Sequence, residues 1–403
     1  MSVSEDVALA DEKSSTPWSE LHYDHRSSKV AVDPWDLWRT LRAECSVLFS
    51  DRYGGMWFVS RHEDVNRILV EWETFSAAQG TNIPDQGMPL LPIDSDPPLH
   101  RQYRSIINPA LAPQRVAEHA SWIRAEAIRQ LDKLDGRTEF DLVHDYCEAY
   151  AKRVALRVIG FAEQDLDKLD HWTHILSTGP RDDENGAIVF GEFYAFLRET
   201  LVQRSTEPGS DDLITLVVQG DVGGRQLTIE EQTSMLMLLT FGGLHTTGNV
   251  LAGALIWLSS HPEDRHALTA KPELMSTAID EFVRFVSPVT HMRRTTARDT
   301  EIGGCPIPAG ERILFGIGSA NHDERVFDQP DDVVLDRYPN PHFGFGAGPH
   351  RCIGSHLGKL AVRIGLEEFM ARYRAFEADH NEIRYEGGEG RHIAACPMTV
   401  VAR

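Results

Sequence analysis

Cysteine is scarce: Cys45, Cys147, Cys305, Cys352 and Cys396 are five scattered residues in 403, and no two form a CxxC pair. That spacing excludes a disulfide framework and the paired thiols of structural zinc ribbons, and it fits a reduced compartment in which one cysteine is free for special chemistry. Basic charge is also short. Forty Lys plus Arg stand against 61 Asp plus Glu, a net charge of −21, which argues against general affinity for nucleic acid or an anionic membrane. The opening residues 1–20 lack a basic region, an apolar core and a small-residue cleavage site, so they read as a disordered lead-in and the expected location is the cytoplasm. Internal repeats and low-complexity tracts are missing too. What remains is a 41% hydrophobic chain with ample material for one large core or two closely fused lobes.

Long apolar runs are missing with one exception, residues 235–258, MLMLLTFGGLHTTGNVLAGALIWL. Thr228-Ile229-Glu230-Glu231 before it has the spacing of a capping box, and Pro262 closes it. A helix over residues 228–259 would be about 48 Å long, enough to cross the molecule. Gly242-Gly243, His245, Thr246, Thr247 and Asn249 sit at its centre, and Lys or Arg do not flank it closely. The reading is therefore a buried core helix and not a membrane span. Polar residues midway along an apolar rod mark a place where something polar happens inside the core.

Elsewhere helical patterns dominate. A short amphipathic helix covers residues 34–44, and residues 46–50 and 56–60 read as a β-hairpin. A second hairpin is expected over residues 301–316, turning at Pro308-Ala309-Gly310. Residues 79–98 are rich in Gly, Pro and Asp and read as a long, functional loop. The fold class is mainly α with small β-sheets, an α+β arrangement.

The sharpest local signal is Phe343-Gly344-Phe345-Gly346-Ala347-Gly348-Pro349-His350-Arg351-Cys352-Ile353-Gly354, followed by an amphipathic run over residues 355–373. A glycine-rich loop feeding a helix presents backbone N–H groups to an anion, and a cysteine there is expected to have a depressed pKa. Gly346, Gly348 and Gly354 allow a flat ring to approach the backbone, with Phe345 beside the sulfur. A phosphate loop, a buried structural cysteine, and a zinc site using His342, His350, Cys352 and His356 are the alternatives these residues leave open. The first lacks the Lys-Ser/Thr that follows the glycines of a P-loop, and the last lacks a second cysteine pair.

The pattern Phe345-Gly-x-Gly-x-His-x-Cys352-x-Gly354 resembles the haem-binding signature of the cytochrome P450 family at every defining position. Other landmarks follow in the family's order from about residue 33 onward. Glu281-Phe282-Val283-Arg284 resembles the ExxR motif, whose buried pair takes Arg337 as third member; taken alone it would be a solvated ion pair. The resemblance implies a triangular, helix-rich prism with haem b between the long central helix and the cysteine-loop helix, formed by one catalytic domain over residues 21–403 with a β-rich lobe and a larger α-rich lobe. It implies Cys352 as the axial iron ligand and His100, Arg104, Arg294, His350, Phe345, Gly346 and Gly354 as the remaining haem-binding residues. It further implies that Gly242 and Gly243 let the helix bulge while the Thr246 hydroxyl passes protons to dioxygen.

One departure stands out. The family pattern has an acid where this chain has His245, so proton delivery either passes through an imidazole, with a pH dependence near neutrality, or His245 simply packs. The implied activity is monooxygenation: hydroxylation, epoxidation or dealkylation of a small-to-medium hydrophobic substrate. A separate ferredoxin or flavodoxin with its reductase would dock by a basic patch of Arg101, Arg104, Arg351, Lys359 and Arg363. Substrate contacts are expected from Met88, Leu91, Met237, Leu238, Val286, Val289, Thr290 and His291, the last two as polar anchors. The protein is expected to be monomeric, with no nucleic-acid or membrane partner. A peroxide-using peroxygenase or isomerase, and a non-catalytic haem-thiolate binding module, are the competing readings.

Overall fold

The computed structural model describes residues 22–85, 87–178, 184–207, 211–387 and 390–403. The expected lead-in over residues 1–20 lies outside the described residues. Helices form the bulk of the molecule and the strands are short, in agreement with a mainly α chain carrying small sheets.

The first hairpin forms as its alternation predicts: strand Val47–Ser50 pairs antiparallel with Met56–Val59, Ser50 opposite Met56. The second is corrected. Thr300–Ile302 turns back onto Cys305–Ile307 through Gly303 and Gly304, both at positive φ, so the tight turn falls there and not at residues 308–310. Strand Arg312–Gly316 is thereby released to lie between Met56–Val59, in parallel, and His291–Thr296, antiparallel. Phe75–Ser76 completes this five-stranded sheet at its far edge. A separate three-stranded sheet joins Tyr373–Ala378, Pro397–Ala402 and Glu139–Asp141.

The apolar rod runs over Ile229–Ser260, with the capping box in place: Glu231 N–H donates to Thr228 Oγ1 and Thr228 N–H to Glu231 Oε2. By length and composition it would cross a membrane, yet 61% of its most apolar window is buried inside protein, so its apolar faces serve the core. It is not one uninterrupted rod. Helix Ile229–Leu244 stops, His245 takes φ −111° and ψ −34°, and helix Thr246–Ser260 resumes. The first half packs on Glu148–Ile159 and Glu184–Thr206, the second on Met275–Val286 and the cysteine helix Ser355–Arg372. Leu251, Leu255, Leu258, Phe282, Leu366 and Phe369, all essentially inaccessible, form the centre of the largest core. Burying side chains of this size contributes about 1.5–3 kcal/mol each. The glycine-rich loop over residues 79–98 is fastened to the first half: Leu91 N–H donates to Ser234 Oγ, which donates to Pro89 O.

Candidate active site

The cysteine loop is built by its own backbone. Cys352 N–H donates to Phe345 O at 2.7 Å, Gly346 N–H to Phe343 O at 2.8 Å, and Phe343 N–H to the Asn321 side chain at 2.7 Å. A short 3₁₀ turn, Gly348–His350, then leads to the start of helix Ser355–Arg372. Gly348 is required for a reason other than ring approach: at φ 63° a Cβ would lie 2.5 Å from the Leu69 carbonyl oxygen of the neighbouring helix His62–Val70. Gly354 does fit a cradle, since only the Cys352 sulfur, 4.0 Å away, lies near the place of its missing Cβ. The Phe345 ring sits 6.0 Å from that of His342 with Lys359 Nζ over it.

The Cys352 side chain is reachable by solvent but walled by protein on most sides. That burial pushes the thiol upward in pKa, and the N–H groups of Gly354 and Ser355, with Arg104 and Arg351, offset it only in part. The expected depression by the helix terminus is therefore overturned, because desolvation of the thiolate outweighs the terminal dipole. A bond to a metal removes the proton instead.

Beside the loop lies a group of basic side chains. His100, on helix Leu99–Ile107, places its ring 4.1 Å from that of His350, and Arg104 follows one turn later, donating to Arg351 O at 2.6 Å. Arg294, 2% exposed, reaches the same place from strand His291–Thr296. His100 Nδ1 and both ring nitrogens of His350 are buried without a partner among the described residues. Burial first, then the neighbouring cations, push His100 down to about 4, His350 to about 2 and, by burial, Arg294 to about 10. The nearest carboxylates are committed elsewhere: Asp94 accepts from Thr81 and Leu90, Asp96 from Ser76 and Ala77. Orphaned nitrogens beside the Arg104 and Arg294 guanidiniums fit a ligand carrying carboxylates, as a porphyrin's propionates do.

The broken helix supplies the other wall. Thr246 Oγ1 donates to Gly242 O at 3.1 Å, and among the described residues nothing lies within 4 Å of where a Gly242 Cβ would be. Gly243 faces the other way, against Ala155. Thr247 Oγ1 lies 3.7 Å from the Cβ position of Gly358, which brings this turn to the start of the cysteine helix. His245 turns away from that space: its ring, 9% exposed, sits between Glu148 and Thr173.

The acidic anchor of the loop is a buried cluster. Glu281, inaccessible, accepts two bonds of 2.8 Å from the equally buried Arg284 and bonds of 2.9 and 3.0 Å from Arg337 Nε. Val334 N–H and Asn340 Nδ2 complete its shell. Burial alone would raise Glu281; the guanidiniums and the N–H group outweigh it and hold the carboxyl below its usual range. The three residues are thus a buried triad and not a solvated pair.

The chain is similar to known proteins. Residues 185–388 match the model of the family described as Cytochrome P450. The chain is 32% identical to linalool 8-monooxygenase of Pseudomonas putida over 366 residues, covering 85% of this chain and 90% of that one. It is 31% identical to vitamin D(3) 25-hydroxylase of Pseudonocardia autotrophica, covering 84% and 86%. The chain belongs to the cytochrome P450 family. Among solved structures, a mutant of P450 EryK in complex with erythromycin B superposes with TM-score 0.83 at 29% identity, covering 91% of this chain and 95% of that one.

This P450 is accordingly a haem b monooxygenase. The residues expected to contact substrate divide. Met88, Leu91, Met237 and Leu238 share one apolar cluster beside the open turn. The others do not join them. Val286 packs on Gly253, where a Cβ would meet it at 2.4 Å, and Val289 belongs to the core of the five-stranded sheet. Thr290 and His291 are each 3% exposed; the His291 nitrogens are taken by Tyr23 OH at 2.6 Å and Thr290 Oγ1 at 2.9 Å, which leaves no polar anchor. Of the basic patch, Arg101, Arg104 and Arg351 line one recess of about 380 Å³, whereas Lys359 pairs with Asp280 and Arg363 with Glu367.

Two residues escaped sequence reasoning. Asn321 ties the loop to helix Met275–Val286 by donating to Ser287 Oγ while accepting from Phe343 N–H. Glu148 meets His245 across 97 positions of chain. Neither carries a local motif; only the tertiary contact distinguishes them from ordinary helix residues.

Proposed function

We propose that this P450 hydroxylates, epoxidises or dealkylates a small-to-medium hydrophobic molecule, with residues 21–403 acting as one catalytic unit. The observation that carries the reading is the meeting of three features: a cysteine at a loop-to-helix junction, a basic cluster with unpartnered nitrogens beside it, and an open helical turn at Gly242 within reach of the same helix start. In this reading Cys352 holds the iron, with Phe345, Gly346 and Gly354 beside it. His100, Arg104, Arg294 and His350 hold the propionates. When bound, the haem supplies dioxygen activation, for the overall change R–H + O₂ + 2e⁻ + 2H⁺ → R–OH + H₂O.

The chain's own residues do the rest. Thr246 keeps a hydroxyl at the opened turn, where it can accept and pass a proton. Met88, Leu91, Met237 and Leu238 exclude water and hold the apolar body of the substrate. Their apolar character agrees with relatives named for linalool and vitamin D(3), and it favours terpenoid or sterol-like molecules as first candidates. Electrons come from a ferredoxin or flavodoxin docking near Arg101 and Arg351, both exposed. A cytoplasmic monomer is the expected setting.

The test is spectroscopic. Reduced protein exposed to carbon monoxide should show the red-shifted absorption of thiolate ligation, and a panel of hydrophobic compounds should shift the ferric spectrum. Loss of the red shift in protein made with ample haem would overturn the reading.

A further inference from the structure

Behind the helix break, on the side His245 faces, lies a cavity of about 530 Å³ whose lining includes His144, Glu148, His174, His245 and His392. His174 and Glu386 at its mouth are 53% and 43% exposed, so water reaches it. The His245 ring is held on both nitrogens. Nδ1 lies 3.5 Å from Glu148 Oε1, and Nε2 lies 3.3 Å from Thr173 Oγ1, whose own hydroxyl is spent on Leu169 O at 2.8 Å. Both neighbours are thus acceptors. A ring protonated on both nitrogens satisfies both of them, while a neutral ring satisfies one.

Glu148 is fixed in turn. The π-helical turn Leu142–Cys147, capped by Asp141, aims it at the break, and Gly248 lets the second half of the helix approach: a Cβ there would lie 3.3 Å from Glu148 Cα. Lys152 Nζ sits 2.6 Å from Glu148 and 2.6 Å from Asp170, whose side chain is 38% exposed. Charges therefore alternate from the surface inward through Asp170, Lys152 and Glu148, and Glu148 faces His245. Burial raises the Glu148 carboxyl, but His245 and Lys152 outweigh it and hold it at about 2, so it stays anionic across the working pH range. His392, facing His245 at 6.0 Å between ring centres, is pushed down to about 4 by burial and by His245 and stays neutral there.

We propose that Glu148 acts through His245 as the acidic partner of proton supply to Thr246, drawing protons from this cavity across the one-residue break. His245 backs onto the cavity; Thr246, the next residue, fronts the open turn at Gly242. In each transfer the His245 ring swings from the cavity side toward the opened turn, an N–H bond of the imidazolium breaks and its proton passes through water there to the Thr246 hydroxyl. The ring then returns to the cavity, where water reprotonates it. Glu148 balances the ring's charge and orients it, a positioning role. This inference rests on the haem-thiolate reading of the opposite face.

The experiment compares wild type, Glu148→Gln and Glu148→Asp as full-length haem protein. First, the reduced carbon monoxide form, which is diamagnetic, is made with ¹⁵N-histidine and the His245 ring nitrogens are titrated by NMR. Removal of the anion should make the second ring proton easier to lose, and Glu148→Asp should restore most of the wild-type behaviour. Second, substrate-free turnover with a plant-type ferredoxin and its reductase should release about twice the peroxide per dioxygen in Glu148→Gln, because four-electron reduction to water needs the extra protons. Unchanged ring titration together with unchanged peroxide yield would overturn the proposal. Should Glu148→Gln fail to fold, His245→Gln, which keeps hydrogen bonds but carries no titratable proton, must raise peroxide yield to the same degree; wild-type yield overturns the idea. Absence of the red-shifted carbon monoxide band in wild type is a separate result that removes the haem-thiolate reading itself.

Discussion

Replacing Glu281 by Gln keeps the size of the side chain and removes one charge between two guanidiniums. Arg284 has no accessible surface and Arg337 is 8% exposed, so neither recovers hydration when its partner is lost. The amide also turns a hydrogen-bond donor toward groups that are themselves donors. Breaking a buried ionic set by removing one member costs about 3–5 kcal/mol, a large share of a typical total stability of about 5–15 kcal/mol. For 403 residues, at about 2.1 cal/mol/K each, the unfolding entropy is roughly 0.85 kcal/mol/K, so a loss of about 4 kcal/mol lowers the midpoint by about 5 °C. The assay is urea and thermal unfolding of haem-saturated protein, followed by far-ultraviolet circular dichroism. Asp36→Asn, at an exposed pair with Arg39, is the companion and should change stability by about 0–1 kcal/mol. The pH dependence has a fixed sign. Because the folded Glu281 carboxyl is depressed, its contribution is present above the unfolded value of about 4.3 and is lost as pH falls through the folded one, so the two proteins should converge on acidification. A folded Glu281→Gln protein within about 1 kcal/mol of wild type at pH 7.5 would refute the argument that this cluster anchors the cysteine loop.

Three further outcomes are expected. Gly348→Ala should cost about 2–4 kcal/mol and reduce haem incorporation, since a left-handed φ and a Cβ placed 2.5 Å from the Leu69 carbonyl strain the loop together; calorimetry and the haem-to-protein absorbance ratio check this. His25 is 4% exposed and burial pushes it down to about 4, against about 6.5 unfolded, so the unfolded chain binds the extra proton first. Stability should therefore fall by about 1–2 kcal/mol between pH 7 and pH 5 on this account, and the slope in urea midpoints should be shallower in His25→Gln. Cys352→Ser should fold but lose the red-shifted carbon monoxide band, because a hydroxyl does not replace the thiolate; an unchanged spectrum would mean that another residue holds the iron.

Local signals carried a good part of this structure. The capping box at Thr228, the hairpin joining Val47–Ser50 to Met56–Val59, and the glycine-rich run ahead of helix Ser355–Arg372 each depend on residues within a few positions of one another. The Glu281–Arg284 spacing was equally visible, but its burial and its third member were legible only through the family resemblance, since Arg337 and the carbonyls that satisfy Arg284 come from residues 321–337. His291 misled for the same reason: its neighbours Tyr23, Trp38 and Phe58 lie more than 230 positions away and convert a candidate anchor into a core residue.

What the sequence by itself determined is where the special backbone sits: a cysteine at a loop-to-helix junction, glycines at an opened helical turn, and a polar interruption of an apolar rod, all set by short-range sterics and hydrogen bonding. Only the tertiary structure decided the electrostatics. Burial raised the Cys352 thiol against its helix terminus, gathered His100, Arg294 and His350 into one group whose nearest carboxylates, Asp94 and Asp96, are hydrogen-bonded elsewhere, and turned His245 from the open turn toward Glu148. Charge and solvation act through space across segments distant in the chain, so their balance is fixed only when those segments pack together.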